Sequence, residues 1–269
     1  MSKVAGVTIT PATFAYGPHP SQGADLYVPE GGGPFPVAVL IHGGFWRTPF
    51  DRELMEPLAE DLAARGIAAW NIDYRRVGDG GGGNEWRVTL DDVSASLDQL
   101  GAVSGEYPLD TDRTALIGHS AGGHLALWLS SEFQVSAVVA QAGVCDLYDA
   151  AHERLGLGSS REGLKVLDVP AAVEFLGGTP EQVPDRYAVA SPSALLPLET
   201  PLLLVHGGQD DRVPVGQARA FADAAREAGD EAELAEFPEM GHFEVLDPRH
   251  ESWARTLQFL AQRLKGGSW

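Results

Sequence analysis

The sequence predicts an α/β fold: a mostly parallel sheet covered by helices on both faces, with antiparallel strands at its amino-terminal edge. Three observations carry this. Short continuous apolar runs, such as Val37–Ile41 and Leu202–Val205, alternate with stretches of helical period, the pattern of parallel strands buried on both faces. Several of these runs exit into loops rich in glycine, histidine and aspartate, and the crevice outside strand ends is where such sheets bind ligands. Finally, 269 residues with 44% apolar content are enough for one sizeable core, and α/β chains of this length commonly stay a single domain.

Taken in order, residues 1–36 read as short strands and turns: Val7–Thr10, then Ala24–Val28, then a break at Gly31–Pro34. The Asp25-Leu26-Tyr27 strand is expected to pair antiparallel at the sheet edge. Strand Val37–Ile41 leads to a helix over Leu54–Ala64 and a strand over Ile67–Ile72. A helix over Asp91–Leu100 precedes strand Thr114–Ile117 and a helix running through Gly123–Leu129. Strand Ala137–Ala140 opens a long irregular stretch, 145–192, with short helical pieces such as Ala171–Leu176. Two readings of it are open: a small lid or cap over the pocket, or an ordinary crossover with long loops. Strand Leu202–Val205, helix Gln217–Ala228, strand Glu233–Phe237 and helix Glu251–Leu264 complete the domain, 1–269. The glycine-rich loop Gly78–Gly83 lacks the Lys-Ser/Thr of a phosphate loop and reads as a surface loop, with Trp86 close behind it.

The chemistry lies at the strand exits. Gly118-His119-Ser120-Ala121-Gly122 sits between a strand and a helix, the strand–turn–helix context in which G-x-S-x-G presents a serine hydroxyl above the sheet. A serine is a weak nucleophile without a base. The loop after Glu233–Phe237 offers one in His242, and the loop after Leu202–Val205 offers two carboxylates, Asp210 and Asp211. Serine, acid and histidine thus follow in the chain order of one hydrolase fold. Upstream, Val37–Ile41 exits into His42-Gly43-Gly44-Phe45-Trp46, where a Gly-Gly turn brings backbone N–H groups close to a developing oxyanion. The aromatics Phe45, Trp46 and Trp86, with His119, are the candidate substrate contacts. His206 and His242 with Asp210 and Asp211 are metal-ligand types, yet no H-E-x-x-H or close Cys/His pair accompanies them. No metal or cofactor is expected.

These motifs resemble the α/β-hydrolase superfamily, within its esterase and lipase group. The H-G-G-x-W form of His42–Trp46, with G-H-S-A-G-G-H-L at Gly118–Leu125, is similar to the arylformamidase (kynurenine formamidase) branch and to small carboxylesterases. The resemblance implies Ser120 as nucleophile, His242 as base, and Asp210, in H-G-x-x-D-x-x-V-P, as acid. It implies an oxyanion hole from the amides of Gly44, Phe45 and Ala121. Phe45 departs from the lipase H-G-G-G form and bears on substrate rather than mechanism. The expected activity is hydrolysis of small uncharged esters, with aryl formamides as the alternative, and a non-catalytic binding protein of the same fold as the reading from another class.

A formal charge of −19 repels phosphates, which argues against nucleic acid and anionic membranes as partners and against dianionic substrates. The single cysteine, Cys145, excludes an internal disulfide. With no apolar signal core at the start and no run near the ~18 residues that span a bilayer, the expectation is a cytoplasmic protein, monomeric or homodimeric.

Overall fold

The computed structural model describes residues 10–157 and 168–264. Eight strands form one sheet: β1 (Ala12–Ala15), β2 (Gly23–Tyr27), β3 (Phe35–Ile41), β4 (Ala68–Ile72), β5 (Leu109–His119), β6 (Ala137–Gln141), β7 (Leu202–Gly207) and β8 (Ala232–Phe237). Their order across the sheet is β1-β2-β4-β3-β5-β6-β7-β8. Strands β3 to β8 are parallel, and β2 runs antiparallel to both β1 and β4. The Asp-Leu-Tyr strand therefore pairs antiparallel as expected, but Ala12–Ala15 covers its outer side and forms the edge. The expected strand Val7–Thr10 lies outside the described residues except for Thr10.

Period-two alternation explains why these strands read as unbroken apolar runs. Val37, Val39 and Ile41 join one core cluster, together with Leu116, Val138 and Leu204. Ala38 and Leu40 face the opposite cluster, with Ile117, Val139 and Leu203. Both faces are dry, and each fully buried Val, Leu or Ile contributes about 1.5–3 kcal/mol. Helices α1 (Glu56–Ala64) and α8 (Glu251–Arg263) cover one face. The other carries α2 (Arg87–Val103), α3 (Ala121–Glu132) and α7 (Val215–Ala228). Among the described residues no helix is long and apolar enough to cross a membrane.

Among its described residues, the irregular stretch after β6 contains three short helices, α4 (Leu147–His152), α5 (Ala171–Leu176) and α6 (Pro184–Ala190). They are not a loose appendage. Leu147, Phe175, Leu176 and Tyr187 belong to the same core cluster as α2 and α3. Cys145, at the start of this stretch, has no exposed surface, and its backbone N–H donates to the Gln217 side chain of α7 at 3.1 Å.

The chain places β4 on one side of β3 and β5 on the other. Such a reversal opens a crevice beyond the strand ends, and the exits of β3 and β5 meet there.

Candidate active site

Ser120 stands between β5 and α3 with φ 56° and ψ −119°, a left-handed conformation that costs a side-chain-bearing residue on the order of 1–3 kcal/mol. The flanking glycines make the turn possible. A Cβ at Gly118 would lie 2.0 Å from the Gly122 carbonyl oxygen, and one at Gly122 the same distance from that of Ile41. The Ser120 N–H donates to Gln141 at 2.8 Å, which ties the elbow to β6. Because Ala121 opens α3, its N–H has no acceptor within the helix, and the helix dipole there favours negative charge.

The turn after β3 packs directly onto this elbow. A Cβ at Gly43 would come within 2.8 Å of both Ser120 Cβ and His119 Nδ1, so only glycine fits. Gly44 has φ 117°, and Phe45 and Trp46 follow at 53° and 55°. No hydrogen bond among the described residues uses the backbone N–H of Gly44 or Phe45. His42 anchors the turn from below. Its Nδ1 donates to the Gly43 carbonyl at 2.7 Å, and its Nε2 meets Asp73 at 2.9 Å. Its ring stacks on Tyr74 at 4.4 Å, and the Tyr74 hydroxyl donates to the His42 carbonyl at 2.9 Å.

The exits of β7 and β8 bring acid and base together. His242 Nδ1 is 2.7 Å from Asp210 Oδ2. His206 Nε2 donates to the Val213 carbonyl at 2.8 Å and lies 3.2 Å from the same carboxylate oxygen. Oδ1 accepts from the backbone N–H groups of Arg212 and Val213 at 2.8 and 2.9 Å. Burial alone would raise the Asp210 pKa, but the hydrogen bonds from His206 and His242 outweigh it, and the carboxyl is held well below the usual range. Asp211 points outward, its side chain 77% exposed beside Arg212. Only one of the adjacent carboxylates meets a histidine.

His242 lies against the residue that precedes Ser120. The His119 ring sits 4.7 Å from the His242 ring, and its Nε2 donates to the His242 carbonyl at 3.1 Å. Burial, reinforced by the charge on His242, pushes the His119 pKa down to about 3, so it stays neutral. Phe243 stands edge-on to His242 at 5.0 Å with about half of its surface exposed.

Two of the expected substrate contacts need correction. Trp46 is 1% exposed and stacks inward on Phe175 at 4.9 Å. From a turn at positive φ the indole leaves toward the core, where its apolar area is dry. His119 is also 1% exposed and backs the base rather than lining an opening. Trp86 is part-buried against the core cluster with the Arg87 guanidinium 5.4 Å above its ring. Phe45 is likewise part-buried, beside Gly156. Sequence reasoning missed Phe243 and the support given by Asp73, Tyr74 and His206. The H-G-x-x-D spacing, which sets His206 four residues before the acid, was the available signal.

A BD-FAE family pattern matches residues 24–224 of the chain. The chain belongs to the BD-FAE family. That match runs from β2 into α7 and takes in the oxyanion-type turn, the elbow and Asp210. Among proteins similar to this BD-FAE member is a probable carboxylic ester hydrolase of Mycobacterium tuberculosis, 30% identical over 86% of this chain and 55% of that one. The isoprenylcysteine alpha-carbonyl methylesterase of Arabidopsis thaliana is 27% identical over 95% of this chain and 58% of its own length. The chain thus spans just over half of these curated relatives. A solved truncated carbohydrate esterase from gut microbiota shares the fold, with TM-score 0.82 and 18% identity over 97% of this chain and 99% of that one.

Proposed function

We propose that this BD-FAE member is a serine hydrolase that cleaves carboxylic esters of small uncharged acyl or aryl compounds. One observation carries the reading: a strained serine elbow with the Gly43-Gly44 turn packed on it, beside a buried histidine bonded to a carboxylate. The names of the curated relatives, an ester hydrolase and a methylesterase, support the same chemistry.

Ser120 Oγ attacks the carbonyl carbon while His242 Nε2 takes its proton. Asp210 holds the other ring proton on Nδ1 and stabilises the imidazolium. The oxyanion is met by the amides of Ala121 and of Gly44 or Phe45, fixed in place before the charge appears. Collapse returns the proton from His242 to the departing alkoxide, leaving an acyl-enzyme that water cleaves by the same sequence. Phe45 and Phe243 supply apolar surface at the opening. The formamide alternative loses part of its basis, since Trp46, one of its two neighbouring aromatics, is core.

The test is Ser120→Ala assayed on p-nitrophenyl acetate. Turnover is expected to fall by several orders of magnitude, with the circular dichroism spectrum unchanged. Retained turnover in protein free of contaminating esterase would refute the reading.

A further inference from the structure

We propose that helices α5 and α6, with Gly156 and Val169, are a brace for the oxyanion turn, with Trp46 and Arg47 as the positioning residues through which the brace acts. This rests on the ester-hydrolase reading and goes beyond it. Two consecutive side-chain-bearing residues at positive φ, Phe45 and Trp46, persist only where their surroundings over-determine them. Those surroundings are α5 and α6, in the stretch after β6.

Trp46 is held in two ways. Its ring stacks on Phe175 of α5 at 4.9 Å and 13°, and its Nε1–H donates to His124 Nδ1 at 3.2 Å. His124 Nε2 in turn donates to the Ala190 carbonyl at the end of α6, at 2.8 Å. The relay needs one tautomer, with Nε2 protonated and Nδ1 bare. Burial pushes the His124 pKa down to about 4, which keeps the ring neutral and the relay intact near pH 7.

Arg47 spreads its donors over the same segment. Nε donates to Glu174 at 2.5 Å, Nη1 to the Gly156 carbonyl at 2.9 Å and Nη2 to the Val169 carbonyl at 2.9 Å. The three bonds leave from three separate nitrogens of one planar fork, a spread that the single nitrogen of a lysine does not reproduce. From the other side the Val77 N–H donates to the Trp46 carbonyl at 2.7 Å. The glycine-rich loop that follows Val77 completes the frame: the Gly83 N–H donates to Glu174 and Phe175, and Arg186 donates back to the Gly83 carbonyl at 2.9 Å. That loop has a role after all. It locks α5, and α5 locks Trp46 and Arg47. A displacement of α5 would carry the oxyanion donors with it, so the described helices of this segment act as fixed scaffold rather than as a lid.

The experiment compares Arg47→Met, Arg47→Lys, Glu174→Gln and Trp46→Phe with the unmodified chain. It measures kcat and KM on p-nitrophenyl acetate, the inhibition constant of an alkyl trifluoromethyl ketone, and the thermal midpoint. A brace acts on the transition state, so kcat is expected to fall about tenfold or more in Arg47→Met while KM stays within about twofold. The ketone, whose adduct carries the oxyanion, should lose affinity by the same factor as kcat/KM. Glu174→Gln strips the charge from one bond and Trp46→Phe removes one bond, so both should fall in between, and Arg47→Lys should not restore activity. Should Arg47→Met fail to fold, the part-exposed Glu174→Gln reads the same quantity. Folded variants with unchanged kcat, or with a raised KM alone, would overturn the brace. Ser120→Ala separates the two ideas. If it abolishes turnover while Arg47→Met does not change kcat, only the brace falls; if it retains turnover, the ester reading falls.

Discussion

Replacing Asp210 by asparagine keeps the shape of the side chain and removes its charge and one acceptor. The structure makes this a severe change. Oδ2 faces His242 and His206, Oδ1 faces the N–H groups of Arg212 and Val213, and the side chain has no exposed surface. An amide NH2 in the Oδ1 place would leave two part-buried backbone donors without this acceptor, at up to about 1–3 kcal/mol each. In the Oδ2 place it can still find a partner, provided the His242 proton moves from Nδ1 to Nε2. The arrangement cheapest for the fold is therefore the one in which His242 cannot accept the Ser120 proton. A wrong tautomer of this kind lowers kcat by about 10⁴, or roughly 5 kcal/mol of barrier. Asp211, exposed and paired with Arg212 at 3.4 Å, is the control, and Asp211→Asn is expected to stay within about twofold. The assay is kcat/KM on p-nitrophenyl acetate at pH 8, with Ser120→Ala setting the floor. Loss of less than tenfold in Asp210→Asn, or a larger loss in Asp211→Asn, would refute the assignment.

Two further expectations follow from burial. His124 is held at about 4, below the ~6.5 of a free histidine, so between those values the unfolded chain binds a proton that the folded chain does not. Its contribution to stability is complete above pH ~6.5 and declines as pH falls toward 4, by up to about 1.4 kcal/mol per pH unit. Urea unfolding at pH 7, 6 and 5 should show a flatter dependence in His124→Asn, and parallel curves would count against it. Phe243, edge-on to His242 and half-exposed, offers an aromatic contact of about 0.5–1.5 kcal/mol. Phe243→Ala should therefore cost phenyl acetate about three- to tenfold more in kcat/KM than ethyl acetate. Equal losses on the two esters would remove Phe243 from the binding surface.

Strands β3, β6 and β7 were legible because they are apolar on both faces, and a dry strand leaves a continuous run in the sequence. The elbow was legible because steric demand fixes its spelling: nothing but glycine fits at Gly118, Gly122 or Gly43. Asp210 could be separated from Asp211 by its spacing from His206 and Val213, the residues that hold its carboxylate. β1 was not legible. Ala12–Ala15 is a short outer strand with half of its residues exposed, so it lacks the run that marks the others. The direction of Trp46 was equally hidden, since an indole leaving a positive-φ turn can face either way and Phe175 lies far along the chain. The same distance concealed the Arg47 fork, whose acceptors are more than a hundred residues away.

The lone cysteine gives the molecule a built-in gauge. Cys145 Sγ is enclosed, donates to the Gly143 carbonyl at 3.5 Å, and has its pKa pushed up by burial and by Asp146. Neither the thiolate nor a path to it exists while β6 and α7 stay packed. An alkylating reagent must wait for that seam to part, so the rate at which iodoacetamide marks the chain counts openings of its centre. Every chain carries one such sulfur, at a fixed place, with nothing engineered.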